Sequence, residues 1–178
     1  MAFENNYAGR HQKRFDKTYA FMQKHLPAPA KILDLGPVNP FSKILVEQKY
    51  QVTNTSPDQD LDVEFDQVRL KDFDAITAFE IFEHMVAPFN LLRESRTEKL
   101  FASVPLKLWF SSAYWNPDDP YDRHYHEFEA KQFDFLLDKA GWKIVDSEKW
   151  VSPTNRLGLR PLLRAFVPRH YIVYCERK

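Results

Sequence analysis

The sequence predicts an α/β fold: a three-layer sandwich in which helices cover both faces of a mostly parallel sheet. Two observations carry this. Short apolar runs that suit buried strands alternate with stretches whose apolar residues recur at helical spacing. Most boundaries between the two carry proline or glycine. At 178 residues the chain suits one domain and is long enough to bury a core without disulfide or metal staples. The expected boundaries are a single domain over 1–178, with an N-terminal helical cap over 1–29 and an α/β core over 30–178.

The elements follow in order. Tyr7, His11, Phe15, Tyr19 and Met22 recur at roughly helical spacing, with Arg10, Lys13, Arg14 and Lys17 mostly off that stripe, until Pro27 and Pro29 stop the helix. Residues 31–35 (KILDL) read as a buried strand. Asn39 then suits an N-cap and Pro40 the first helical position, where its missing N–H would be unpaired anyway. Phe41, Ile44 and Leu45 supply the apolar face of that helix. Residues 51–55 are a second strand, 63–65 a brief third and 74–79 (DAITAF) a firmer fourth. Residues 81–92 suit a helix that Pro88 breaks or restarts. Residues 100–104 (LFASV) form the next strand, ended by Pro105, and 106–125 an aromatic loop of the length that often carries function.

Phe133, Leu136, Leu137 and Ala140 then mark a helix whose start Glu127 and Glu129 favour through the helix dipole, and which Gly141 ends. Residues 142–145 and 171–175 are strands, and Leu159, Leu162, Leu163 and Phe166 mark a small helix between them. Ligands of such sheets sit at the carboxyl ends of the strands. The candidates are therefore residues 34–39, 55–58, Asp66, 80–84 and the loop after Val104.

Composition narrows the function. Twenty-five basic and 25 acidic residues cancel, which argues against broad nucleic-acid binding. No apolar run approaches the roughly 20 residues of a membrane helix, and the start lacks the apolar segment of a secretory signal. Cys175 is alone, so neither a disulfide framework nor a multi-cysteine zinc site is available. A cytoplasmic location is expected. Only 4 glycines leave few tight loops for phosphates, and 15 phenylalanines make the chain unusually aromatic.

In this arrangement the chain resembles the class I S-adenosylmethionine-dependent methyltransferases. KILDLG at 31–36 is similar to the family's first strand and glycine turn, and FDAITAFEIFEHM at 73–85 to its fourth strand and the Glu-His start that follows. LLRES at 91–95 with LFASVP at 100–105, and HYHEFEAKQFDFLLDKAGWKIV at 124–145, resemble later elements, so the likeness spans roughly residues 30–178. It implies a Rossmann-like sheet with an antiparallel last strand, and S-adenosylmethionine as cofactor. It also implies roles for individual residues. Asp34 would fix the turn or the methionine ammonium, and Gly36 would let the backbone approach the cofactor. The helix start at Asn39-Pro40 would aim free N–H groups at the site. Thr55 or Ser56 would meet the ribose where the family has an acid. Asp66 would accept from the adenine amino group, and Glu80 would line the cleft.

Three departures from the family pattern stand out. Of the glycines in D-x-G-x-G-x-G only Gly36 is kept, with Val38 and Pro40 at the other two places. β-Branched Val38 suits a positive φ poorly, so the turn must take another path. The ribose acid gives way to a hydroxyl, unless Asp58 or Asp60 reaches in. The second and third strands lie too close for a helix between them.

The implied chemistry is in-line displacement on a sulfonium methyl, which needs alignment in a closed site and a base for some acceptors. His84, His124 and His126 are the candidate bases, each equally readable as a capping or packing residue. Tyr7, Tyr114 and Tyr125 would close the pocket, Arg10 and Arg14 would meet a carboxylate, and Trp109, Phe110, Tyr114 and Trp115 either form an apolar acceptor pocket or fold onto the sheet. Arg156, Arg160 and Arg164 read as a solvated face. Asp118, Asp119 and Asp122 near His124-x-His126 read as loop solvation, and no metal is expected. The expectation is a methyltransferase acting on a small molecule, with no nucleic-acid partner. The alternative is a catalytically inactive module of the same fold. A nucleotide-dependent oxidoreductase is disfavoured because G-x-G-x-x-G is absent. Oligomeric state is left open.

Overall fold

A computed structural model describes residues 2–119, 121–152 and 158–178, without the side chains of 2–10 and 160–161. The expectations for Tyr7, Arg10, Arg156 and Arg160 therefore lie outside the described side chains. The chain runs α1 (Ala2–His25), β1 (Lys31–Asp34), α2 (Pro40–Glu47), β2 (Gln51–Asn54), β3 (Ala75–Phe79), a 3₁₀ turn (Phe82–His84) and α3 (Pro88–Glu94). It continues through β4 (Lys99–Pro105), α4 (Ala130–Lys139), β5 (Trp142–Val151), α5 (Leu159–Arg164) and β6 (Pro168–Arg177). The strands form one sheet in the order β2-β1-β3-β4-β6-β5. β1 to β4 pair in parallel, and β6 runs antiparallel to both β4 and β5. This is the predicted Rossmann-like architecture.

The pleat sorts the buried residues into two cores, because successive side chains of a strand point to opposite faces. Leu33, Ile76, Leu100, Ala102 and Val173 pack with Phe133 and Leu137 of α4. Their chain neighbours Ile32, Ala75, Phe101, Ile172 and Tyr174 pack on the other face with Phe21 and Met22 of α1 and Leu45 of α2. Runs such as AITAF look uniformly apolar because both faces are covered.

Three expectations change. Residues 63–65 are no strand; they lie in turns between β2 and β3, so no third-strand acid exists. β5 and β6 run well beyond 142–145 and 171–175. β5 is an edge strand whose burial alternates, so no buried run announces it. Between Ile81 and Leu92 the chain makes only the 3₁₀ turn before α3 starts with Pro88 in its first turn. As predicted, Asn39 caps α2; Glu129 caps α4, while Glu127 stays in the loop. Among the described residues no helix is long and apolar enough to cross a membrane.

Candidate active site

The parallel register β2-β1-β3 sets Asp34 beside Asn54 on one side and Thr77 on the other. The Thr77 hydroxyl donates to Asp34 Oδ1 at 2.5 Å and the Asn54 amide donates to Oδ2 at 3.0 Å. Burial nevertheless dominates, opposing those bonds, and raises the Asp34 carboxyl to about 6. Its immediate role is to tie three strand ends together.

The turn that follows is built around Gly36. Its φ is +100°, and a Cβ there would lie 3.1 Å from Ile81 Cδ1. Its N–H donates to Thr55 Oγ1 at 2.7 Å, and the Asn54 amide donates to its carbonyl at 3.2 Å. Thr55 is thus buried as a support for the turn and is absent from the cavity wall, contrary to its expected place at the ribose. Val38 avoids a positive φ and turns outward, 64 % exposed, so the altered turn does not plug the crevice. The start of α2 also differs from expectation. Asn39 Oδ1 accepts from the N–H groups of Phe41 (2.9 Å) and Ser42 (3.1 Å), Ser42 Oγ accepts from Asn39 N–H, and Pro40 has no N–H. A capping box has consumed the donors that would have faced a ligand.

After β3, Glu80 adopts φ +57°, a left-handed conformation that costs a residue with a Cβ about 1–2 kcal/mol. Its Oε2 meets Arg14 of α1 at 3.1 Å, and its Oε1 accepts from the Ser103 hydroxyl at 3.1 Å and lies 3.8 Å from His170 Nδ1. Burial opposes its charge, but His170, Arg14 and Ser103 together outweigh burial and hold Glu80 down to about 2. Glu83 has the opposite fate. It is 1 % exposed, and burial followed by repulsion from Glu80 pushes its carboxyl well above the usual range. Its carbonyl accepts from the N–H groups of Tyr125 (2.7 Å) and His126 (3.2 Å), which pins the long loop against the 3₁₀ turn.

That loop brings His124 to His84, with ring centroids 5.0 Å apart and planes nearly perpendicular. His84 Nδ1 faces the Arg123 carbonyl and His124 Nδ1 faces Glu127 Oε1, both at 3.0 Å. Burial, then the neighbouring His124, lowers the pKa of His84. Tyr114 packs against His124 and donates its hydroxyl to Asp122 at 2.7 Å.

These groups line an open cleft of about 610 Å³ at the carboxyl ends of β1, β3 and β4, with Arg14, Phe15 and Thr18 of α1 on one side. Gly36, Phe41, Glu80, His84, Tyr114 and His124 line it, with Arg164 and Arg169 also on the wall. Its volume lies within the roughly 300–1,000 Å³ of small-molecule sites. Besides Thr55, the candidates Asp66 and His126 fall outside it, as do Trp109, Phe110, Trp115 and Tyr125 of the expected aromatic pocket. Asp66 is fully exposed and pairs with Arg69 at 3.6 Å. His126 is half-buried, bonds the Val86 carbonyl at 3.2 Å and stacks on Phe128. Ser103, His170 and Arg169 escaped sequence reasoning. A buried serine in an apolar strand was the only sign of Ser103, and the pairing of β6 with β4 brings in the other two.

The lining of this cavity suits S-adenosylmethionine. A glycine turn without a Cβ, the apolar Phe41 and Ile81 and the carboxylate of Glu80 suit a molecule that joins a purine to a cationic amino acid. No acid follows β2 into the wall; Asp58 and Asp60 stay exposed in their loop.

Fold and cavity together define a Rossmann-like α/β domain with a ligand crevice at its strand ends, and comparison with known proteins gives its family. A methyltransferase domain family model matches residues 7–147, most of the chain. The chain belongs to that family, the class I S-adenosylmethionine-dependent methyltransferases, whose cofactor is S-adenosylmethionine. No curated protein sequence matches it. Among solved structures, 1,6-didemethyltoxoflavin-N1-methyltransferase of Burkholderia thailandensis, crystallised with 1,6-didemethyltoxoflavin and S-adenosylhomocysteine, is similar. The identity is 18 % and the TM-score 0.65, over 99 % of this chain and 87 % of that one. A methyltransferase complexed with the Trm112 activator of Haloferax volcanii gives 13 % and 0.67, over 97 % and 94 %. An S-adenosylmethionine-dependent methyltransferase of Archaeoglobus fulgidus gives 14 % and 0.60, over 99 % and 98 %. At these identities the likeness is one of fold.

Proposed function

We propose that this chain transfers a methyl group from S-adenosylmethionine to a small-molecule acceptor. The observation that carries this reading is the single cavity wall shared by the Gly36 turn, Glu80 and the His84–His124 pair. Bound there, the cofactor supplies an electrophilic sulfonium methyl. Gly36 and Glu80 hold the donor end, with the Glu80 carboxylate opposite positive charge. Arg164, whose Nε is buried without a partner among the described residues, suits a carboxylate. α1 shields one side from water, which favours alignment of donor and acceptor. His84 and His124 face the acceptor with the nitrogens left free by their Nδ1 bonds. A small acceptor, rather than nucleic acid, is supported by the size of the cleft, about 610 Å³, and the zero net charge. One domain and a cytoplasmic location belong to the same reading.

The capped start of α2 and the inward Thr55 favour a second reading, a binding module of the same fold that no longer holds the cofactor. Calorimetric titration with S-adenosylhomocysteine separates them. The enzyme reading expects micromolar binding, weakened at least tenfold by Glu80→Ala and unaffected by Asp66→Ala. Thermal unfolding of each variant checks that it folds. Absence of binding by the wild-type chain at millimolar ligand leaves only the module.

A further inference from the structure

The 3₁₀ turn and the long loop assemble a donor set that methyl transfer does not by itself require. Glu83 Oε2 is buried and has no partner among the described residues. Leaving such an atom unpaired in the interior is unfavourable. His84 Nδ1 faces a backbone carbonyl, which can only accept. His124 Nδ1 faces Glu127 Oε1, which also accepts from the Tyr114 N–H at 2.8 Å. Both Nδ1 atoms must then carry a proton, and in the neutral imidazole, the form that binds a metal ion, each Nε2 atom presents a lone pair. No hydrogen bond reaches either Nε2 among the described residues, and His84 Nε2 lies 3.9 Å from Glu83 Oε1. One ligand atom each from Glu83, His84 and His124 lies within 4.8 Å of the other two. Metal-binding imidazoles are held in this way, one nitrogen donating to a carbonyl or carboxylate and the other meeting the ion.

We propose that Glu83, His84 and His124 form a site for one divalent first-row transition ion on the cavity wall. Two imidazoles and one carboxylate suit Zn²⁺ or Co²⁺ better than Mg²⁺, which prefers an all-oxygen shell. Bonds of about 2.0–2.1 Å put tetrahedral donors roughly 3.3 Å apart, so side-chain rotations of the order of 1 Å complete the shell. Three protein ligands leave a position open, and all three residues line the cavity. An acceptor oxygen or nitrogen fills that position; only this last point rests on the methyltransferase reading. With the ion bound, the acceptor meets the ion instead of the bare imidazoles. The set differs from the His-x-His and aspartate grouping in the sequence, since His126 is turned to the Val86 carbonyl.

The test titrates the full chain, stripped with chelator, with ZnCl₂ by calorimetry and with CoCl₂ by visible absorption. One ion per chain at micromolar Kd or tighter is expected, with the intense bands of tetrahedral cobalt. His84→Ala and His124→Ala should each weaken binding at least 100-fold, and Glu127→Gln roughly 10–100-fold. His126→Ala should leave it unchanged. Circular dichroism checks the variants, and His124→Gln in the loop serves if His84→Ala does not fold. No binding by the stripped chain, or equal binding by the His84→Ala/His124→Ala double variant, overturns the site. S-adenosylhomocysteine binding by a chain that takes no ion overturns the metal site alone. Ion binding by a chain that refuses S-adenosylhomocysteine overturns only the methyltransferase reading.

Discussion

Replacing Gly36 with alanine strains the turn after β1 in two separable ways. A residue with a Cβ pays about 1–2 kcal/mol to hold a left-handed φ such as the +100° found here. The new methyl also lies 3.1 Å from Ile81 Cδ1. That atom ends a flexible side chain, so the contact adds at most about 1 kcal/mol, the low end of overpacking. Against this, alanine restricts the unfolded chain and returns about 0.4–1 kcal/mol. The net loss is about 1–2 kcal/mol, or about 2–8 °C in Tm for a chain of this size. Urea unfolding of Gly36→Ala, Ile81→Val and the double variant separates the parts. Ile81→Val removes Cδ1, so the double variant should recover the steric part, a coupling of about 0.5–1 kcal/mol, and keep the φ part. Gly36→Ala should also weaken S-adenosylhomocysteine at least tenfold, because the Gly36 backbone lines the cavity. A neutral Gly36→Ala, or full rescue by Ile81→Val, would refute the account of the turn.

Two further outcomes follow from the same strand ends. Asp34 is raised from its ordinary 3.8 to about 6, so between these values the folded state holds a proton that the unfolded chain has lost. Its contribution therefore makes stability fall as pH rises through about 4 to 6, by up to about 3 kcal/mol at 1.36 kcal/mol per pH unit. Urea unfolding across that range should show wild type losing ground relative to Asp34→Asn; parallel profiles would contradict the burial of the carboxyl. Asn39→Ala frees the N–H groups of Phe41 and Ser42 and should cost about 1 kcal/mol, seen as about 2–4 °C in Tm. An unchanged Tm would mean that the capping box carries no stability.

Much of the site could be placed from the sequence because catalytic groups of a parallel sheet sit just past strand ends. Gly36 and Glu80 follow β1 and β3 directly, and both line the cavity. Thr55 follows β2 equally directly, yet its hydroxyl goes to Gly36 N–H. Which way a hydroxyl turns depends on the neighbouring strand, and position in the chain does not reveal that. Asp66 lies away from the cavity because its supposed strand is absent: three apolar or acidic residues between turns have too little periodicity to separate strand from loop.

Local pattern alone determined the alternation of strands and helices, the Asn39 cap and the two-sided burial of the central strands, since each depends on residues a few positions apart. Only tertiary structure decided that Arg14 and His170 meet at Glu80, or that His84 faces His124 across 40 positions of chain. Those meetings depend on α1 lying over the strand ends, on β6 running back beside β4, and on the Glu83 carbonyl holding the long loop. Local propensity does not encode them. The cavity is therefore a product of packing distant segments against one sheet, although Asp34, Gly36, Glu80, His84 and His124 on its wall could be picked out individually beforehand.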